Sequence, residues 1–213
     1  MKSKENRDNF SQNDIKKTYE KLGEKYLENI EKYTPKAIYD FMKLLPKGGT
    51  VLDVGSAGGR DSEKFSQSGF KVIGIDLVDK FIKTAQNRVP SGTFRKMDLE
   101  KLDFPKNYFD GIWVNAVLMH VRKKNIQKVL DNLNQCLKPN GKAYFQVKKG
   151  IGEQYLTDKF SPIKKRFVSL FEKKEFEEDL KKSGYHLLKT SIKPDNAGRP
   201  GIDWIEITAE KKI

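Results

Sequence analysis

The stretch Val51-Leu52-Asp53-Val54-Gly55-Ser56-Ala57-Gly58-Gly59 concentrates residue types that could hold a ligand. A buried apolar run that ends in a carboxylate and then in small residues lets bare backbone N–H groups approach a ligand closely. The next β-rich run ends at Asp76, about twenty residues after Gly55, where an acidic side chain accepts hydrogen bonds from both hydroxyls of a ribose. Together the turn and the acid describe an adenosine site at a topological switch point. A dinucleotide suits it poorly. The fingerprint Gly-x-Gly-x-x-Gly, started at Gly55, meets Ala57 and Arg60 at its second and third glycine positions, and an arginine there obstructs the close helix–strand contact.

The elements around these residues follow from periodicity. Ile15, Tyr19, Leu22, Tyr26, Ile30 and Tyr33 recur every three or four positions and predict one helix with a single apolar stripe. Thr34 as N-cap and Pro35 as first helical residue predict a second helix through Ile38, Phe41, Leu44 and Leu45, ended by Pro46-Lys47-Gly48-Gly49. From there, short β-rich runs at residues 50–54, 71–76, 93–97, 111–115 and 142–147 alternate with helical stretches. Strands buried on both faces, alternating with helices, imply a parallel sheet with right-handed crossovers. Residues 148–170 read as a loop-rich stretch, followed by a helix near 172–183 and a hairpin of strands 187–192 and 204–209.

With this frame in place, the motifs resemble those of the class I S-adenosylmethionine-dependent methyltransferases, from about Tyr19 to the C-terminus. Asp53 to Asp61 is similar to that family's first motif, with Ala57 where a glycine is usual. Ile75-Asp76-Leu77 resembles the ribose-binding second motif, and Met97-Asp98-Leu99 the third, whose acid contacts the adenine amine. Phe109 through His120 resembles the fourth strand and the segment after it, and Leu137-Lys138-Pro139-Asn140-Gly141 the turn into the fifth. The resemblance implies a doubly wound α/β fold, a Rossmann-like, seven-stranded, mostly parallel sheet of order 3-2-1-4-5-7-6 with the last strand antiparallel. It also implies S-adenosyl-L-methionine as cofactor. Residues 1–46 are expected to be an N-terminal tip and cofactor-covering helices, and 47–213 the methyltransferase domain, one structural unit. The cofactor-binding residues are then Tyr19, Tyr26, Asp53, Gly55, Ser56, Ala57, Gly59, Arg60, Asp76, Leu77, Asp98, Leu99 and Asn115.

Several of these have a second reading. Asp53 could simply stabilise its turn, Asp61 favour the positive end of a helix, and Asp98 cap the turn after its strand. Tyr19 and Tyr26 either lean over the cofactor's sulfonium or only pack on the domain. Asp110, at the start of its strand, reads as structural. His120, just past the end of the fourth strand, is either the candidate catalytic base, required only if the acceptor loses a proton, or a histidine packed against the cofactor's amino-acid end.

For the acceptor, Asn115-Ala116-Val117-Leu118 lacks the Asn/Asp-Pro-Pro-aromatic motif of many amine methylators of nucleic acid and glutamine. Cys136 lies on a crossover helix, which disfavours covalent base methylation. The last third resembles a bacterial subgroup through Lys148-Lys149-Gly150-Ile151-Gly152-Glu153, Arg166-Phe167 and Arg199-Pro200-Gly201 with Trp204. Strand direction sends Lys148, Arg166 and Arg199 to the ligand face, as expected of a substrate-binding set for an anionic group; Arg199 paired with Asp195 or Asp203 is the alternative. A small-molecule acceptor is the expectation, with RNA the alternative: the net charge of +13 suits a polyanion, but lysines spread along the chain also make an ordinary solvated surface. One cysteine and no long apolar run point to the cytoplasm, with no membrane and no metal expected.

Overall fold

The computed structural model describes residues 11–158, 161–195 and 197–212; the N-terminal tip expected at residues 1–10 lies outside them. In chain order the elements are α1 (Gln12–Glu31), α2 (Ala37–Met42), β1 (Thr50–Val54), α3 (Arg60–Gln67), β2 (Lys71–Asp76), α4 (Asp79–Arg88), β3 (Thr93–Lys96), β4 (Phe109–Asn115), α5 (Lys123–Cys136), β5 (Leu137–Lys148), β6 (Glu153–Asp158), β7 (Ser161–Ser169), α6 (Lys173–Lys182), β8 (Tyr185–Pro194) and β9 (Asp203–Lys211).

Seven strands form one sheet in the order β3-β2-β1-β4-β5-β9-β8. The first five are parallel, and β9 runs antiparallel to both β5 and β8. With β6 and β7 set aside as an insertion, this is the expected order 3-2-1-4-5-7-6. The strands are apolar on both faces, and the alternation of side chains sorts them into two cores. Val51, Trp113 and Tyr144 face α2 and α3, where they meet Phe41 and Phe65. Leu52, Ile112, Phe145 and Ile205 face α5 and α6, where they meet Val129, Leu133 and Phe176. Register puts Trp113 beside Tyr144, and their rings stack at 4.0 Å with an interplanar angle of 13°. Asp110 is structural, accepting Thr50 N–H at 2.8 Å and pairing with Lys138 at 2.8 Å.

Three expectations need correction. The stretch 148–170 is not loop-rich: β6 and β7 form an antiparallel ribbon in which Tyr155 pairs with Phe167. Phe167 and Val168 are buried, one packed against Ile15 and Tyr19 and the other against Met119 and Trp204, so the ribbon is held by tertiary contacts its polar sequence does not announce. The first helix is not one straight rod, because Gly23 breaks it with φ 53° and ψ −138°, a conformation open to glycine alone at low cost. The second helix is shorter than Pro35–Leu45, with single turns flanking Ala37–Met42. It packs on the sheet through Ile38 and Phe41 and contributes nothing to the cavity wall, so of the two N-terminal helices α1 alone covers the site.

Candidate active site

A cavity of about 200 Å³ opens at the C-terminal ends of β1, β2 and β4, where the strand order reverses. Its floor is the turn after β1. Gly55 and Ser56 both donate their N–H groups to Ile75 O, at 2.8 and 2.9 Å, which folds the turn against β2. Gly55 has φ 71°, and a Cβ there would meet Val117 at 2.8 Å, so both the backbone angle and the close approach require glycine. Ala57 follows at φ 46°, in the left-handed region where an L-residue is strained.

Asp76 ends β2 on the cavity wall. Its two oxygens accept backbone N–H groups of Ala57 at 3.0 Å and Val78 at 2.9 Å. Burial nevertheless outweighs those bonds and pushes its pKa up to about 6. Asp53, the last carboxylate of β1, accepts Ser62 Oγ at 2.6 Å; burial and the neighbouring charge of Asp61 push its pKa well up as well. Asp61 is the organiser of this corner. Its Oδ1 takes Arg60 Nε at 2.7 Å, and its Oδ2 takes Trp113 Nε1 at 2.9 Å and Asn115 Nδ2 at 3.0 Å. Arg60 in turn donates Nη1 to the carbonyl oxygens of Ile30 and Tyr33, 2.7 Å each, and so ties the C-terminal end of α1 to the site.

Beyond β4 the wall is made by Met119 and His120, by Tyr19 of α1, by Arg166 of β7, and by Arg199 and Trp204 around the β8–β9 connector. His120 is buried, with Nε2 at 2.8 Å from Tyr19 Oη and Nδ1 at 3.1 Å from Phe167 O. Arg166 donates Nη1 to the same tyrosine oxygen at 2.7 Å. Tyr26 packs edge-on against Tyr19, ring centroids 4.8 Å apart, and stacks on Phe81.

The expected cofactor residues Tyr19, Tyr26, Asp53, Gly55, Ser56, Ala57, Arg60, Asp76, Leu77, Leu99 and Asn115 all border this one cavity. Gly59 and Asp98 do not. Gly59 is where α3 begins, and a Cβ there would meet Ala85 at 3.0 Å, so its service is close packing against α4. Asp98 turns its Oδ1 to Glu100 N–H at 2.9 Å and starts a short 3-10 turn, the capping reading, while Met97 and Leu99 form the wall. Of the expected cations, Arg166 and Arg199 border the cavity and Lys148 does not. Lys148 is buried off the wall, with its carbonyl accepting Phe171 N–H. Arg199 grips Asp195 with Nε at 3.1 Å and Nη2 at 2.7 Å, the alternative reading, because an acid four residues earlier lies within reach of its guanidinium. Burial would raise Asp195, yet bonds from Arg199 and from Trp204 hold its pKa down at about 2.

Some wall residues gave no signal in the sequence. Gln12 donates to Glu100 at 2.9 Å and to His120 O at 2.9 Å, which pins the start of α1 over the cavity. Gln146 and Phe81 also border it. Among the described residues there is no group of three or more His, Cys, Asp or Glu placed to hold a metal, and no helix is long and apolar enough to cross a membrane.

A family model described as a methyltransferase domain matches residues 52–145. Over 105 residues the chain is 33% identical to a ubiquinone biosynthesis O-methyltransferase of Coxiella burnetii, a match covering 47% of this chain and 44% of that one. The chain spans about half the length of the curated relatives it matches. Among solved structures, a SAM-dependent methyltransferase from Methanosarcina mazei aligns with a TM-score of 0.73 at 18% identity, over 84% of this chain and 99% of that one. The 1,6-didemethyltoxoflavin-N1-methyltransferase of Burkholderia thailandensis, crystallised with 1,6-didemethyltoxoflavin and S-adenosylhomocysteine, aligns with a TM-score of 0.68 at 23% identity, over 83% and 77%. At these identities the structures establish the fold. The match over residues 52–145 and the shared fold support a class I S-adenosylmethionine-dependent methyltransferase.

The residues present fit that family's cofactor, S-adenosylmethionine. Among the described residues, Ser56 Oγ and Asn115 Oδ1 are buried without a hydrogen-bond partner, and both belong to wall residues where polar ligand groups can supply one. Asp76 is held from behind by two backbone N–H groups and keeps lone pairs for ribose hydroxyls.

Proposed function

We propose that the chain is an S-adenosylmethionine-dependent methyltransferase whose acceptor is a small molecule. The observation that carries this reading is the convergence of wall residues beyond β4 on the pocket that the glycine-rich turn and Asp76 also line. Tyr19, Met119, His120, Arg166, Arg199 and Trp204 come from four separate parts of the chain and line one pocket, of a size suited to a small ligand.

Bound S-adenosylmethionine supplies a methyl group already activated by the positive sulfur, so transfer asks the protein to align donor and acceptor and to exclude water. In this reading Asp76 takes the ribose hydroxyls, and Met97 and Leu99 offer an apolar wall to the base. Ser56 and Asn115 receive the amino-acid end. Tyr19, Tyr26 and Phe81 shed water from the sulfonium and face it with aromatic rings. The acceptor need not be an anion, since Asp195 already neutralises Arg199.

The net charge of +13 sustains RNA as the second reading. The deciding experiment incubates the protein with S-adenosylmethionine labelled on the methyl group together with a cell extract, separated into a metabolite fraction and an RNA fraction. Label in the metabolite fraction supports the proposal. Label confined to RNA, lost steeply as salt rises, overturns it.

A further inference from the structure

The cavity has two ends. Asp76 closes β2 and Trp204 stands at the start of β9, and the sheet order β2-β1-β4-β5-β9 puts four strand spacings, about 19 Å, between them. Both residues border the cavity. In the methyl-transfer reading the ribose sits at Asp76, so Trp204 belongs to the acceptor's end.

Among the described residues, the carboxylates that border the cavity are Asp53, Asp61, Asp76 and Asp195. The first three flank the turns after β1 and β2, which leaves Asp195 as the acid of the acceptor's end. Its lone-pair positions are already taken. Oδ1 accepts Trp204 Nε1 at 2.9 Å and Arg199 Nη2 at 2.7 Å, while Oδ2 accepts the backbone N–H of Arg199 at 3.0 Å and its Nε at 3.1 Å. The Asp195 side chain is 1% exposed, and the bonds it accepts keep it ionised far below neutral pH. An ammonium group brought to this end therefore meets a carboxylate with nothing left to give.

The same bonds fix the indole. Trp204 spends its single N–H on Asp195, so what it can offer a ligand is the carbon surface of its rings. The guanidinium carbon of Arg199 lies 5.7 Å from the ring centroid, and Met119, Val168 and Leu170 belong to one apolar cluster with the indole. Met119 borders the cavity as well. A ring held in this way loses little further freedom on meeting a ligand, and an aromatic partner gains edge-to-face or offset contact that a saturated ring of the same size cannot make.

We propose, resting on the methyl-transfer reading, that Trp204, with Met119 of the same cluster, is the wall against which a flat aromatic or heteroaromatic acceptor docks, and that the Asp195–Arg199 pair fixes that wall and leaves aliphatic amines without a partner. Trp204 is thus a specificity-determining residue, and the acceptor's class is set by the shape and polarity of its ring.

The chain has two tryptophans, and the other, Trp113, is buried against Phe41, Phe65 and Tyr144. Labelling with 5-fluorotryptophan therefore gives two 19F signals, and Trp204→Phe identifies which belongs to Trp204. The test saturates the labelled chain with S-adenosylhomocysteine, verified by calorimetry, and titrates 2-naphthol and quinoline against decahydro-2-naphthol and decahydroquinoline, the last an ammonium ion at neutral pH. At least one flat probe should bind saturably and shift the Trp204 signal while the Trp113 signal stays, and its saturated counterpart should bind about fivefold more weakly. Trp204→Leu should erase that preference with S-adenosylhomocysteine still bound, and Trp204→Phe should keep most of it. If Trp204→Leu does not fold, the wild-type shift and the wild-type preference decide. The proposal is overturned if neither flat probe binds, if the Trp204 signal does not move, if the saturated compounds bind as tightly, or if folded Trp204→Leu keeps the preference. A wild type that does not bind S-adenosylhomocysteine in the first step is a different result, since it removes the methyl-transfer reading itself.

Discussion

The carboxylate of Asp76 accepts the backbone N–H of Ala57 at 3.0 Å, so the acid that ends β2 and the glycine-rich turn that follows β1 are one construction. Their coupling has a consequence for pH. Without ligand Asp76 holds its proton up to about pH 6, whereas the unfolded chain releases it in the ordinary carboxylate range. Between those values the folded chain carries the extra proton, so the stability of the ligand-free protein falls as pH rises through the window. A ribose donating two hydroxyls favours the charged form, and binding must expel the proton. Affinity for S-adenosylhomocysteine should therefore rise from pH 5 to about 6.5 and level off above it. Calorimetry across this range checks the claim, and in Asp76→Asn the rise should shrink. A flat profile in the wild type contradicts it.

Arg60 is expected to matter for the fold as well as for the cavity. Arg60→Ala removes two part-buried bonds to carbonyls at the end of α1 and leaves Asp61 buried without its cation, a loss of about 2–4 kcal/mol. Urea unfolding measures it. Arg60→Lys should recover part of the loss, because the charge stays while the forked geometry goes.

Glu153 anchors the ribbon. Its carboxylate accepts Lys123 N–H at 2.7 Å, at the start of α5, and pairs with Arg122 at 3.2 Å. Glu153→Ala should cost about 1–2 kcal/mol, as the loss of a helix cap does. Hydrogen exchange should quicken in β6 and β7, and if it quickens elsewhere but not there, the anchoring role is wrong.

Ala57 sits at a positive φ where a glycine is freer. Ala57→Gly relieves about 1–2 kcal/mol of backbone strain and costs about 0.5–1 kcal/mol in unfolded-chain entropy, so the variant should be neutral to slightly more stable. Ala57→Val should be destabilised, since a branched side chain tolerates this conformation worst. Thermal melts of the pair decide, and equal melting of wild type and valine variant would go against the assignment.

How much of this was legible in the sequence follows from how local each signal is. Asp53, Gly55 and Asp76 were readable because strand, acid and small-residue turn lie within a few positions, and each strand's apolar run fixes where its end falls. The β6–β7 ribbon was not, because its charged residues hide a weak alternation and its buried members, Phe167 and Val168, find their partners in α1 and near Trp204. Lys148 falls off the wall, and Arg199 reaches it already paired, for a related reason. Topology gives the edge a residue reaches, but the neighbours it meets there decide where the side chain goes, and for Arg199 the nearby Asp195 decided it. Gln12 lies in a segment that reads as polar helix, and its value rests on Glu100 and His120, distant in sequence.

The central claim is that this cavity binds S-adenosylmethionine through Asp76, and calorimetric titration of S-adenosylhomocysteine into wild type and Asp76→Ala at neutral pH tests it most directly. The wild type should bind saturably and the variant lose about 1.5–3 kcal/mol, because a charge-assisted contact to the ribose disappears while the fold survives. A wild type that does not bind, or a folded Asp76→Ala protein that binds just as tightly, contradicts it.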